Sequence, residues 1–106
     1  MSSEVRRTEN EFILQSINNS IAERVKDIAP GDSGNSVNLH FKCECSELNC
    51  SKIVTLRIDT YQRITKQVGQ FIVFPTHEQL DIETTVERTP EYLIVEKRMD
   101  LIEKVA

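Results

Sequence analysis

The chain reads as an α+β domain: a long N-terminal helix packed on a five-stranded, mostly antiparallel sheet, with a short inserted helix and a zinc knuckle. Three observations predict this. Isoleucines recur at helical spacing through the first quarter of the chain. Short alternating apolar runs, separated by turn residues, fill most of the rest. Three cysteines fall within eight residues between the first two of those runs. One long helix followed by strands is the segregated pattern of an α+β domain, since strict strand–helix alternation would build a parallel sheet instead.

The helix is expected over residues 4–28. Ile13, Ile17, Ile21, Val25 and Ile28 step by four, four, four and three, and Leu14 and Phe12 widen the stripe. Ser2 or Ser3 can cap its start, Glu4 suits the first turn, and Pro30-Gly31 ends it. Asn18-Asn19-Ser20 weakens its middle by propensity, so packing must hold it there. Residues 30–36 form a turn-rich linker. Val37 to Cys43 alternates apolar and polar as a first strand, and Ser51 to Ile58 makes a second. Asp59 is a good N-cap for a short helix carrying Tyr61, Ile64 and Val68, which stops at Gly69. Gln70 to Phe74 is apolar after its first residue, as a central strand is. Leu80, Ile82 and Val86 alternate along a fourth strand, and Tyr92 to Lys97 makes the fifth. The organisation is one domain over 1–106: helix to residue 29, linker 30–36, zinc-knuckle core 37–98 and a tail 99–106 with room for a helical turn.

Composition narrows the function. The 106 residues carry 13 basic against 17 acidic side chains, and the pI is near 5.2. Non-specific nucleic-acid binding driven by net charge is therefore disfavoured. No apolar stretch backs the basic pair Arg6-Arg7, so no secretory signal is expected. The longest aliphatic or aromatic run, Phe71 to Phe74, is far below the ~20 residues of a membrane span. Three cysteines cannot all pair within one chain, and Cys43 and Cys45 are too close for a relaxed disulfide. Reduced thiols in the cytoplasm fit best.

Phe41 to Cys50 is the most informative stretch. Zinc favours thiolate and imidazole donors in a tetrahedron, and a structural site closes all four corners with protein. Cys43, Cys45 and Cys50 supply three corners. His40 has the opposite strand parity to Cys43 and points to the other face. His77 follows the rigid Phe74-Pro75-Thr76 turn, and the third strand must return toward the cysteine loop, so His77 is the expected fourth ligand. Other readings of the same residues are buried thiols with a solvated His77, an iron–sulfur cluster, or an exposed redox trio. Glu44 and Glu78 are expected to face solvent or to orient a ligand histidine. Lys42 and Lys52 moderate the thiolate charge. His77-Glu78 lacks the second histidine of a metalloprotease helix, because position 81 is Asp81.

These motifs resemble a family of small, mostly actinobacterial proteins with no assigned activity. The matching pieces are Thr8-Glu9-Asn10-Glu11, Phe41-Lys42-Cys43-Glu44-Cys45, Cys50, Tyr61-Gln62-Arg63, Phe71 to Glu78, Val86-Glu87 and Tyr92 to Lys97. The chain departs from the family pattern at Thr76, where glycine is expected, and in its shorter Tyr61–Arg63 spacing. These departures leave the four proposed ligands intact, and the resemblance supports the zinc site and supplies no assigned activity.

The sequence thus points to a small zinc-stabilised, non-catalytic interaction or regulatory module. A nucleic-acid-associated regulator and a thiol or zinc redox sensor are the alternatives. At ~1.5 Å per residue a helix of this length overhangs the core of a small domain. Ile13, Ile17 and Ile21 are therefore candidates for binding a protein partner or a second copy. The basic residues Arg6, Arg7, Arg24 and Lys26 alternate with Glu4, Glu9, Glu11, Glu23 and Asp27, as on a solvated face.

Overall fold

The computed structural model describes residues 3–28 and 36–105, so all of the expected linker but Ser36, and the helix-stopping Pro30-Gly31, lie outside the described residues. The elements run α1 (Ser3–Ile28), β1 (Asn38–Lys42), β2 (Ile53–Arg57), α2 (Ile58–Thr65), β3 (Gln70–Val73), β4 (Glu83–Arg88), β5 (Leu93–Lys97) and α3 (Met99–Val105). The expected tail turn is thus a two-turn helix, and it packs on α1. At ~1.5 Å rise α1 is about 39 Å long, close to the 42 Å longest dimension of the molecule.

The strands form two antiparallel sheets in place of one. β1 pairs with β2, and a second sheet has the order β3-β5-β4. β5 is its central strand, so β3 is not. The split has a local cause at Glu44. Its backbone N–H donates to the Ile72 carbonyl at 2.8 Å, as a ladder bond would. The Ile72 N–H then donates to the Glu44 carboxylate at 3.0 Å, where a backbone carbonyl would sit in a continuous sheet. A side chain closes the seam, and the ladder stops there.

The face that α1 buries is not the isoleucine stripe. Thr8, Glu11, Leu14, Gln15, Asn18 and Ala22 are buried, while Ile13 is 47% and Ile17 39% exposed, Ile21 is half-buried, and Ile28 is exposed. Phe12, Leu14 and Val25 do reach apolar neighbours. The physical reason is hydrogen-bond demand. The Asn18 amide donates to the Lys42 carbonyl and accepts from the Lys42 N–H, both at 2.9 Å, and so substitutes for a strand beside β1. Gln15 donates to the Gln70 carbonyl at 2.8 Å. Backbone groups without a ladder partner draw the polar face of the helix inward, and the Asn18 segment that propensity disfavours is held this way.

Other expectations need correction. Arg57, not Asp59, precedes α2, and it makes no side-chain cap; Asp59 sits in the first turn, ion-paired to Arg57 at 2.7 Å. Val68 lies past the helix end and is exposed. Ile82 is buried, but Leu80 and Val86 are exposed, because β4 begins at Glu83 and a bulge between Thr85 and Glu87 displaces Val86. The inward residue at the start of β4 is Glu83. Tyr61 and Phe41 stack with ring centroids 4.2 Å apart within the apolar core, and the half-buried Phe12 packs against that core, meeting Phe71 edge-on at 5.1 Å.

Candidate metal centre

β1 ends at Lys42, and the chain turns at once through Cys43, Glu44 and Cys45. Ser46 adopts φ 76°, in the left-handed region, which bends the loop so that Cys50 comes back toward Cys43. The Cys50 N–H donates to the Glu47 carbonyl at 2.9 Å and closes that turn. On the other side, β3 ends at Val73 and Phe74-Pro75-Thr76-His77 forms a tight turn, with the His77 N–H donating to the Phe74 carbonyl at 2.9 Å. Proline second and a residue with positive φ third is the type II arrangement, and Thr76 has φ 80°.

The turn delivers His77 to the three cysteines. One ligating atom from each of Cys43, Cys45, Cys50 and His77 lies within 4.8 Å of all the others. His77 Nδ1 is 3.6 Å from both the Cys43 and the Cys50 sulfur. With Zn–S of ~2.3 Å and Zn–N of ~2.1 Å, a regular tetrahedron separates sulfur from nitrogen by about 3.6 Å. These two separations thus match the sulfur–nitrogen spacing between corners of a tetrahedral metal site. Cys43 and Cys45 are buried, Cys50 is half-buried, and none is in a disulfide.

Charge is prepared for a cation. The Cys43 thiol is pushed up by its hydrogen bond to Cys45 and by burial. The Cys45 thiol is held down by that same bond from Cys43, aided by the Glu47 backbone and His77. The shared hydrogen bond therefore favours ionisation of Cys45 over Cys43. The Phe74 N–H also donates to the Cys43 sulfur at 3.1 Å. Lys52 Nζ lies 5.0 Å from the Phe74 ring centroid and lines an open hollow of about 380 Å³ with Cys50 and His77.

The loop is braced from α1. Asn10 donates to the Ser46 carbonyl at 3.0 Å. Arg7 donates to Gln79 Oε1 at 2.9 Å and so aims the Gln79 amide nitrogen at the Cys45 carbonyl and the Ser46 hydroxyl. Arg7 also pairs with Asp81 at 2.7 Å. Asn10 and Asn18 escaped the sequence reading because polar residues on a helix read as solvated, and Gln79 because it lies in the loop before β4, where no periodicity marks it. The available signal was the repeat that holds Asn18: Thr8, Glu11, Gln15, Asn18 and Ala22 step by three, four, three and four.

Glu44 is neither solvent-facing nor turned to a histidine. It is fully buried, and its carboxylate accepts from the Tyr61 hydroxyl at 2.5 Å, Asn18 at 2.9 Å and the Ile72 N–H. Burial pushes it up to about 7 against these three donors. Glu78 accepts from Arg88 at 3.3 Å and not from the His77 ring. His40 is exposed and bonds Thr55 at 2.8 Å, away from the cluster, as its parity requires.

Among the described residues no helix is long and apolar enough to cross a membrane. Comparison of the chain with protein-family models, with curated proteins and with solved structures finds no match.

Proposed function

We propose that the protein is a small interaction or regulatory module whose fold is fastened by one zinc ion on Cys43, Cys45, Cys50 and His77, with no catalysis at the metal. The observation that carries this reading is the closed donor set, three sulfurs and one nitrogen within 4.8 Å of one another, with His77 Nδ1 3.6 Å from two of the sulfurs. A catalytic zinc keeps a coordination position for water, and four protein donors leave none. Thiolate-rich sites select zinc over magnesium or calcium. The ion would tie the β1–β2 loop to the turn after β3, and so fasten one sheet to the other across the seam that Glu44 bridges. The three unpaired thiols support a reducing compartment such as the cytoplasm. The outward face of α1, with Ile13, Ile17 and Ile21, is the surface offered to a protein partner. The acidic balance argues against nucleic acid.

Elemental analysis tests the metal directly. Purified protein should hold one zinc per chain. His77→Ala should lose or loosen it, and His40→Ala should keep it. Folded protein free of metal, or the reverse order of the two variants, would sink the assignment.

A further inference from the structure

The outward face of α1 has an order of its own. Ile13, Ile17 and Ile21 form an i+4 row with Ser16 and Ser20 beside it. Two hollows lie along it. One of about 310 Å³ is bounded by Glu9, Phe12 and Ile13, and one of about 240 Å³ by Ile17, Ile21 and Arg24. Neither Glu9 nor Arg24 enters any ion pair among the described residues.

The face is complementary to itself reversed. A second copy of the helix, laid antiparallel with a two-fold axis between Ser16 and Ile17, sets Ser16 against Ile17 and Ile13 against Ser20. Each of these isoleucines then meets a serine, leaving room for the larger side chain. The same operation sets Phe12 against Ile21, and Glu9 against Arg24. A parallel copy would set Glu9 against Glu9 and Arg24 against Arg24. Rows spaced by four interdigitate at a crossing of about −50°, the commonest helix packing. A two-fold contact of this kind closes on itself and ends at two copies.

We propose that α1 is the seam of a homodimer: two copies pair antiparallel across the Ile13–Ile17–Ile21 row, with Glu9 of each copy against Arg24 of the other. This names the occupant of the partner face in the proposed function, and it does not depend on the metal. A contact of one helix lies at the small end of specific interfaces, so the dissociation constant should be on the order of micromolar.

Sedimentation of the full chain over a concentration series, with zinc content measured on the same samples, tests it. The wild type should pass from monomer to dimer. Ile17→Asp should stay monomeric, with the melting curve of wild-type protein diluted to monomer, since Ile17 is exposed. Glu9→Arg and Arg24→Glu should each raise the dissociation constant about five- to tenfold, because two cross-pairs turn repulsive in each. The double variant should recover the wild-type value. A wild type still monomeric at about 1 mM would overturn the proposal. So would single charge variants without effect in a dimer that Ile17→Asp breaks, which is the parallel case. Zinc content reports on the metal reading separately: a zinc-loaded monomer overturns only the dimer, and a metal-free dimer overturns only the zinc.

Discussion

Thr76 is a β-branched residue at φ 80°, a conformation that crowds its Cβ and that glycine adopts freely. It stands directly before His77, in a turn whose third position demands positive φ. Such strain costs about 1–3 kcal/mol, and the extra freedom of glycine in the unfolded chain returns about 0.4–1 kcal/mol of that. Thr76→Gly should therefore stabilise the zinc-loaded protein by about 1 kcal/mol, a rise of several degrees in melting temperature for a domain of this size. A fall in the midpoint would mean that the threonine side chain holds the turn by contacts of its own. Ser46, at φ 76°, shapes the cysteine loop in the same way. One strained residue beside each half of the site shows how narrowly the backbone is directed there.

At the scale of elements, α1 is joined to the sheet by a buried charged cluster as well as by apolar packing. Lys97 of β5 is fully buried and donates to Glu11 of α1 and to Glu83 of β4, the latter at 2.6 Å. Two carboxylates share one ammonium. Burial, and then repulsion from Glu83, pushes Glu11 up to about 9 against the pull of Lys97. Around neutrality Glu11 is thus protonated when folded and ionised when unfolded. The folded state binds the extra proton, so the cluster's contribution is full below the ordinary carboxylate range and is lost as pH rises through about 9. The slope is at most about 1.4 kcal/mol per pH unit. Zinc ligation works in the opposite direction, because its donors must lose protons. The difference between wild type and Glu11→Gln separates the two effects. The variant should match the wild type near pH 5 and gain on it steadily toward pH 9, in chemical denaturation of zinc-loaded protein. A gap that stays constant with pH would show that Glu11 is ionised in the fold.

For the whole molecule, a metal on the four donors would join what the chain leaves apart. The two sheets meet through Glu44 and share no continuous ladder. Structural zinc can supply on the order of 10 kcal/mol, comparable to the entire stability of a small domain. Chelation or Cys45→Ser should therefore lower the melting temperature sharply, and acid should release the ion as its ligands protonate. An unchanged melting curve after chelation would point instead to a site where the metal comes and goes without loss of the fold, as in a sensor.

Much of this was legible in local pattern. The order of elements, the grouping of Cys43, Cys45 and Cys50 with His77, and the exclusion of His40 follow from side-chain periodicity, strand direction and turn chemistry, all properties of a few neighbouring residues. The burial of Glu11, Gln15, Asn18 and Glu44 was not legible, nor was the outward turn of Ile13 and Ile17. A polar helical stripe reads as solvated until its partners are known. Here those partners are the Lys42 and Gln70 backbones and the Lys97 ammonium, from 24 to 86 residues away in the chain. Hydropathy ranks a side chain by its cost in an apolar surrounding, whereas the tertiary structure surrounds these with donors and acceptors that remove the cost. The sequence by itself determined which residues can hold a metal; only the tertiary structure decided which face of the helix goes in, because that choice depends on hydrogen-bonding groups left open by strands distant in the chain.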